Sequence, residues 1–252
     1  MTKLSAMTRL RVLGSGDAFN SAGAGHSAYL LEHDRGCLLL ECGTGTLAAM
    51  KRDGIDTHAP DLVLISHLHG DHFGGLPFLF LEYANIVRRA RPLVVAGPPT
   101  TGQRVRELSE ALYAKDLAAE ASCEIEFVVL ADGDRTELAG ARVEAFEVPH
   151  RAEPFSLGYR IETADASILF SGDSAWTDRF VEMSKGTDLF LCECCSMRPI
   201  PADHTNYAEL VANRERLACK RLLLTHLGAD VRDAAGLEFE RAHDGMTVEL
   251  GA

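Results

Sequence analysis

The sequence predicts an α/β protein, a four-layer αββα sandwich, on three observations. Short apolar runs of strand length recur along the whole chain and alternate with stretches of helical spacing. Each half of the chain runs strands first and a helix after, as a duplicated αββα plan would. The 252 residues, 46% of them apolar, supply enough material for a sizeable core.

In order, strands are expected over residues 10–13, 28–32, 37–40, 62–66, 93–96, 125–130, 142–148, 157–162, 167–171, 189–192 and 221–225. Helices are expected over 44–52, 76–89, 99–115, 176–183 and 205–218. Thr205 is the expected N-cap of the last, with Tyr207, Leu210, Val211 and Leu217 following at near-helical spacing. Asp244-Gly245 signals a turn into a final strand over 246–250. Gly14-Ser15-Gly16 follows the first strand, but its spacing fails both phosphate-loop patterns and reads as a tight turn. With no linker or low-complexity segment, residues 1–252 are expected to form a single domain.

The formal charge of −12 repels polyanions at long range, so a large nucleic acid would need a local basic surface. The basic cluster Arg88, Arg89 and Arg91 reads as a solvated helix end. Seven cysteines, an odd number with Cys192, Cys194 and Cys195 bunched together, make a poor disulfide framework and fit a reducing cytoplasm. The bunch lacks a spaced partner pair for zinc, which leaves buried thiols as its reading. No run of about 18 apolar residues predicts a membrane span. The first eleven residues are too short and polar for a secretory signal.

The informative segment is Ile65-Ser66-His67-Leu68-His69-Gly70-Asp71-His72-Phe73-Gly74-Gly75. It follows an apolar strand, so a rigid sheet can aim His67. Imidazole and carboxylate are the ligand set for zinc, iron or manganese, and crowded imidazoles repel one another when protonated. Gly70, Gly74 and Gly75 are expected to let the backbone turn and pass close to a metal. A solvated histidine-rich loop is the alternative.

This segment resembles the metallo-β-lactamase superfamily, whose signature His-x-His-x-Asp-His is met at His67, His69, Asp71 and His72. Further matches follow in order: His150 after Val148-Pro149, Asp173 after Phe170-Ser171-Gly172, and His226 after Leu224-Thr225. Taken singly, His150 or His226 would more often be a structural or surface histidine. The resemblance implies that His67, His69 and His150 hold one metal, that Asp71, His72 and His226 hold a second, and that Asp173 lies between them. The cofactor expected is therefore two divalent cations, zinc first, with Mn2+ or Fe2+ as alternatives. Two cations sharing a hydroxide lower its pKa toward neutrality and make a nucleophile. Glu41-Cys42-Gly43 resembles the family's Asp-x-Gly turn, and Glu41 is expected to orient ligands from behind. His26, His33, His58 and His243 read as surface residues.

The segment from Cys192 to Asn206 resembles the ribonuclease Z and phosphodiesterase branch, in which a glutamate pairs with a histidine opening the next helix. Here these are Glu193 and His204, and Ser156-Leu157-Gly158-Tyr159 matches that branch as well. The resemblance implies His204 as general acid, charged by Glu193, with Asp71 handling the nucleophile's proton. The tRNA-gripping arm has no counterpart, because residues 151–153 lead at once to the next strand. The family's Ser-Arg-Tyr tail is replaced by Leu227-Gly228-Ala229-Asp230. These departures favour a small-molecule phosphodiester, such as a cyclic nucleotide or ribose phosphate, over a tRNA precursor. A ribonuclease Z-like tRNA 3′ endonuclease is one rival reading. A thioester or lactone hydrolase, which would not need Glu193 and His204, is another. A di-iron redox protein would be expected to carry glutamate where His69 stands. No membrane partner is expected, and a homodimer is compatible with this reading.

Overall fold

Several strands of this chain are apolar at every position, so a stable sheet must be covered on both faces. The computed structural model describes residues 7–200 and 203–251. Residues 1–6 of the N-terminal stretch and Ala202, just before the His204 segment, lie outside the described residues. The strands are β1 (Thr8–Gly14), β2 (Ala28–His33), β3 (Gly36–Leu40), β4 (Leu62–Leu64), β5 (Leu93–Gly97), β6 (Ile125–Val129) and β7 (Arg135–Leu138). They continue with β8 (Ala141–Val148), β9 (Ser156–Glu162), β10 (Ser167–Phe170), β11 (Leu189–Glu193), β12 (Arg221–Thr225), β13 (Glu240–Arg241) and β14 (Thr247–Leu250). The helices are α1 (Thr46–Arg52), α2 (Gly70–Phe73), α3 (Leu76–Asn85), α4 (Thr101–Tyr113), α5 (Leu117–Glu120), α6 (Arg179–Met183), α7 (Tyr207–Asn213) and α8 (Ala229–Asp233).

The strands form two seven-stranded sheets among the described residues, ordered β14-β1-β2-β3-β4-β5-β6 and β13-β12-β11-β10-β9-β8-β7. Each sheet, followed from β14 or from β7, has three antiparallel pairings and then three parallel ones. The two-residue period of a strand divides its side chains between two cores. Leu38, Leu40, Leu62 and Leu64 of the first sheet face Tyr159, Ile161, Leu189 and Leu191 of the second, forming the central core. The alternate residues Leu39, Val63 and Val95 pack outward against Met50, Leu79, Phe80 and Val105 of the helices. Phe146, Leu169, Phe190 and Cys192 pack outward on the other side, against Phe180 and Leu210. The result is the four-layer αββα sandwich.

This topology places the site. Parallel β3, β4 and β5 point one way, as do β10, β11 and β12, and β8 shares the direction of β10 because β9 reverses between them. Segments following such carboxyl ends gather along one edge, where open α/β sheets bind ligands.

Several local expectations are corrected. The short strands β7 and β13 are additional to the expected set. Helix α3 ends at Asn85, and residues 86–90 leave the helix so that Arg89 can turn inward. Arg89 is 1% exposed and donates to the carbonyls of His58 and Pro92, so it is not a solvated helix end. Asn206, not Thr205, caps α7: its side chain accepts from the Glu209 N–H at 3.1 Å, and the Glu209 carboxylate reaches back to it. The Thr205 hydroxyl instead donates to the Ser174 carbonyl at 2.7 Å. The seven cysteines are free, and Cys192 and Cys194 are buried in the outer core.

Loss of an N-cap costs about 1 kcal/mol. Asn206→Ala should therefore lower the denaturation midpoint by an amount equivalent to about 1 kcal/mol. An unchanged midpoint in a chemical denaturation series would contradict the capping role.

Candidate metal centre

The ligand-bearing segment follows β4 directly, and its first ligand, His67, is the third residue past the strand. Ile65 anchors it by packing outward, and its carbonyl accepts from the Tyr159 hydroxyl at 2.6 Å. The single turn of α2 then presents Asp71 and His72. A Cβ on Gly75 would lie 2.2 Å from the Gly43 carbonyl oxygen, so this crossing of two loops requires glycine. Gly70, in contrast, has open space around it, and no close approach explains it.

Three segments from distant parts of the chain converge on this turn. His67, His69 and His150 bring one ring nitrogen each within 4.8 Å of one another, and Asp71, His72, Asp173 and His226 form a second such group. In the first group, His150 Nε2 stands 3.3 Å from His69 Nδ1. In the second, Asp173 Oδ2 is 3.3 Å from both His72 Nε2 and His226 Nε2, and Asp71 Oδ2 is 3.2 and 3.3 Å from the same two nitrogens. Asp173 Oδ2 also lies 4.0 Å from His67 Nε2, so this oxygen sits between the groups. Tetrahedral ligands about 2.0–2.1 Å from a zinc ion stand about 3.3 Å apart. The spacing and the donor chemistry therefore fit divalent cations.

Three of the five imidazoles have a polar group behind them, which selects the nitrogen that faces inward. His67 Nδ1 is 2.9 Å from Ser66 Oγ, His150 Nδ1 is 2.9 Å from the Asp203 carbonyl, and His72 Nδ1 is 3.5 Å from Glu41 Oε1. The inward Nε2 atoms of His67 and His72 are buried with no hydrogen-bond partner among the described residues. Burial holds the His67 imidazolium well below its ordinary pKa, helped by the neighbouring His72. Burial also opposes charge on His72, but Asp173, Asp71 and Glu41 outweigh it and raise that group. Asp173 is desolvated as well, yet His226, His72 and His67 hold it well below the carboxylate range. His69 is exposed, which opens the site to solvent.

Beside this cluster stands the Glu193–His204 pair. Glu193 closes β11 with 1% exposure, and both of its carboxylate oxygens lie 3.0 Å from His204 Nδ1. The same carboxylate accepts from the Ser174 N–H. The His204 ring stacks on His226 at 5.6 Å and meets His150 edge-on at 4.8 Å. Burial opposes its protonation, but the Glu193 hydrogen bond and charge prevail and raise its pKa to about 9.

All the residues singled out from the sequence for this site thus lie together. Sequence reasoning missed Ser66 and Asp203 as the groups behind His67 and His150, although each directly precedes a singled-out histidine. It also left the partner of Glu41 open; the structure supplies His72 and the Ser66 N–H, the latter at 3.1 Å. Glu41 holds φ of 60°, a left-handed conformation that costs a non-glycine residue about 1–3 kcal/mol. Of the histidines read as surface residues, His243 is exposed and His26 and His58 are half-buried. His33 departs from that reading, because its side chain is fully buried. Cysteine is missing from the metal-competent groups among the described residues.

Two seven-stranded sheets with a His/Asp cluster at their edge define a metallo-β-lactamase superfamily hydrolase. Within it, the chain belongs to the family described as anti-Pycsar protein Apyc1, whose model matches residues 8–245. It is 31% identical to the uncharacterized protein Rv1339 of Mycobacterium tuberculosis, over 92% of this chain and 87% of that one. It is 26% identical to a ribonuclease Z of Agathobacter rectalis, over 79% of this chain and 81% of that one. The metallo-β-lactamase fold protein YhfI of Bacillus subtilis superposes with a TM-score of 0.78 at 20% identity, covering 96% of this chain and 99% of that one. Among the described residues, no helix is long and apolar enough to cross a membrane.

A ligand that binds only the folded state raises the melting temperature by mass action. Chelator treatment should therefore lower Tm, and added zinc or manganese should restore it. Identical melting curves with and without metal would contradict a metal-competent centre.

Proposed function

We propose that this protein is a dinuclear metal-dependent phosphodiesterase acting on small phosphodiesters or nucleotides, a cyclic nucleotide or ribose phosphate among them. The observation that carries this reading is the buried Glu193 carboxylate holding His204 at 3.0 Å beside the His/Asp cluster. Phosphodiester cleavage expels an alkoxide, which leaves poorly unless a proton arrives as the bond breaks. A thiolate needs no such help, so a thioesterase would have no use for the pair.

In this reading His67, His69 and His150 would hold one cation and Asp71, His72 and His226 the other, with Asp173 placed between the two groups. Zinc is the first choice for this donor set. Bound there, the cations supply Lewis acidity toward phosphoryl oxygens and make water more acidic. The remaining work belongs to side chains of this chain. Asp71 takes the proton of the attacking water. His204 is charged by Glu193 through Nδ1, which leaves Nε2 to give its proton to the departing oxygen. The ring contacts with His226 and His150 fix the plane of that imidazole. The formal charge of −12 supports a small substrate over a large nucleic acid.

Elemental analysis of protein prepared with excess metal should give about two ions per chain, since both donor groups are complete. A stoichiometry well below one would contradict the dinuclear reading. His204→Ala should lower turnover of an alkyl phosphodiester by roughly 10²–10⁴-fold, the usual range for a lost acid. The loss should shrink for a p-nitrophenyl ester, whose leaving group needs little protonation, while metal content stays constant. Equal losses on both esters would mean that His204 binds phosphate instead.

A further inference from the structure

A cleft of about 510 Å³ opens beside His69, the exposed member of the first donor group. It is lined by Leu68, Thr100, Arg104, Arg151, Glu153 and Pro154 as well as His69. Among the surface hollows, this one is continuous with the metal centre through His69. Arg104 meets Glu107 only at 3.4 Å and keeps 55% of its side chain exposed. Arg151 spends Nε on Asp203 at 2.8 Å, while 85% of its side chain remains in solvent.

The cleft also adjoins the reacting groups: His150 neighbours both the His69 ring, at 5.1 Å, and the His204 ring, at 4.8 Å. Arginine forks match planar, acceptor-rich groups, donating two hydrogen bonds to phosphate or carbonyl oxygens and stacking on flat rings. Leu68 and Pro154 add an apolar wall.

Building on the proposed activity, we propose that Arg104 and Arg151 are specificity-determining residues. They hold an acceptor-rich group of the substrate, a second phosphate or the carbonyl edge of a nucleobase, in the cleft beside His69. The two sources share one chemistry, oxygen acceptors within reach of two guanidinium groups in an otherwise acidic protein.

Binding calorimetry on the metal-loaded protein tests this without any reaction, using inorganic phosphate, pyrophosphate and a nucleoside 5′-monophosphate. One of the two larger ligands should bind more tightly than phosphate. Arg104→Gln should remove that advantage, weakening the favoured ligand by roughly 10–100-fold relative to phosphate, as expected for a lost charged hydrogen bond. Loss on pyrophosphate assigns the cleft to a second phosphate, and loss on the nucleotide assigns it to the base. Arg151→Gln should act in the same direction. Equal weakening on all three ligands, no weakening on any, or no preference for a larger ligand in the unmutated protein overturns the proposal. Absence of phosphodiester turnover in the unmutated protein would count against the proposed activity alone, because these measurements need no turnover.

Discussion

The architecture depends on one electrostatic constraint, the gathering of five imidazoles and two carboxylates from His67 to His226, in groups whose donors lie within 4.8 Å of one another and come as close as 3.2 Å. Inward lone pairs and negative oxygens at that distance repel, and burial removes the water that would screen them. Only a cation or a proton reconciles such a set. The rest of the structure holds the donors in place against this repulsion: a strand end behind each, an outward hydrogen bond on His67 and His150, the Glu41 carboxylate 3.5 Å behind His72, and a rigid core beneath.

Equivalent pairing in the two sheets explains why the site draws on both halves. β3 and β10 occupy the same place in their sheets, and Glu41 follows one as Asp173 follows the other. One carboxylate reaches into the donor cluster, while the other stands behind His72. β4 and β11 correspond likewise, leading to His67 and ending in Glu193. The last strand, β14, closes the first sheet against β1, and Asp244 just before it accepts from the Ser15 and Gly25 N–H groups. That tie fixes the turn at Gly14-Ser15-Gly16, whose Gly16 bridges to Leu227, next to His226.

Much of this was legible in the sequence because it is encoded locally. Apolar runs marked the long strands, and three histidines and an aspartate within six residues marked the centre. The convergence of His150, Asp173 and His226 came from resemblance, since sheet topology, not local spacing, brings them together. Other features depend on partners far away in sequence. Arg89 is buried because the His58 carbonyl, 31 residues away, receives it alongside the neighbouring Pro92 carbonyl, and nothing near position 89 announces the distant one. β7 and β13 are four and two residues long, with charged side chains, so their patterns carry no apolar signal. The cap of α7 moved by one residue because the Thr205 hydroxyl found the Ser174 carbonyl instead.

The central claim is that the His/Asp donors are arranged for two neighbouring cations. X-ray absorption on zinc-loaded protein measures this directly. The account predicts a first shell of nitrogen and oxygen at about 2.0–2.1 Å with imidazole backscattering, and a second metal at roughly 3.5–4 Å. A lone metal without a metal neighbour, or a sulfur shell at about 2.3 Å drawn from Cys192, Cys194 or Cys195, would contradict it.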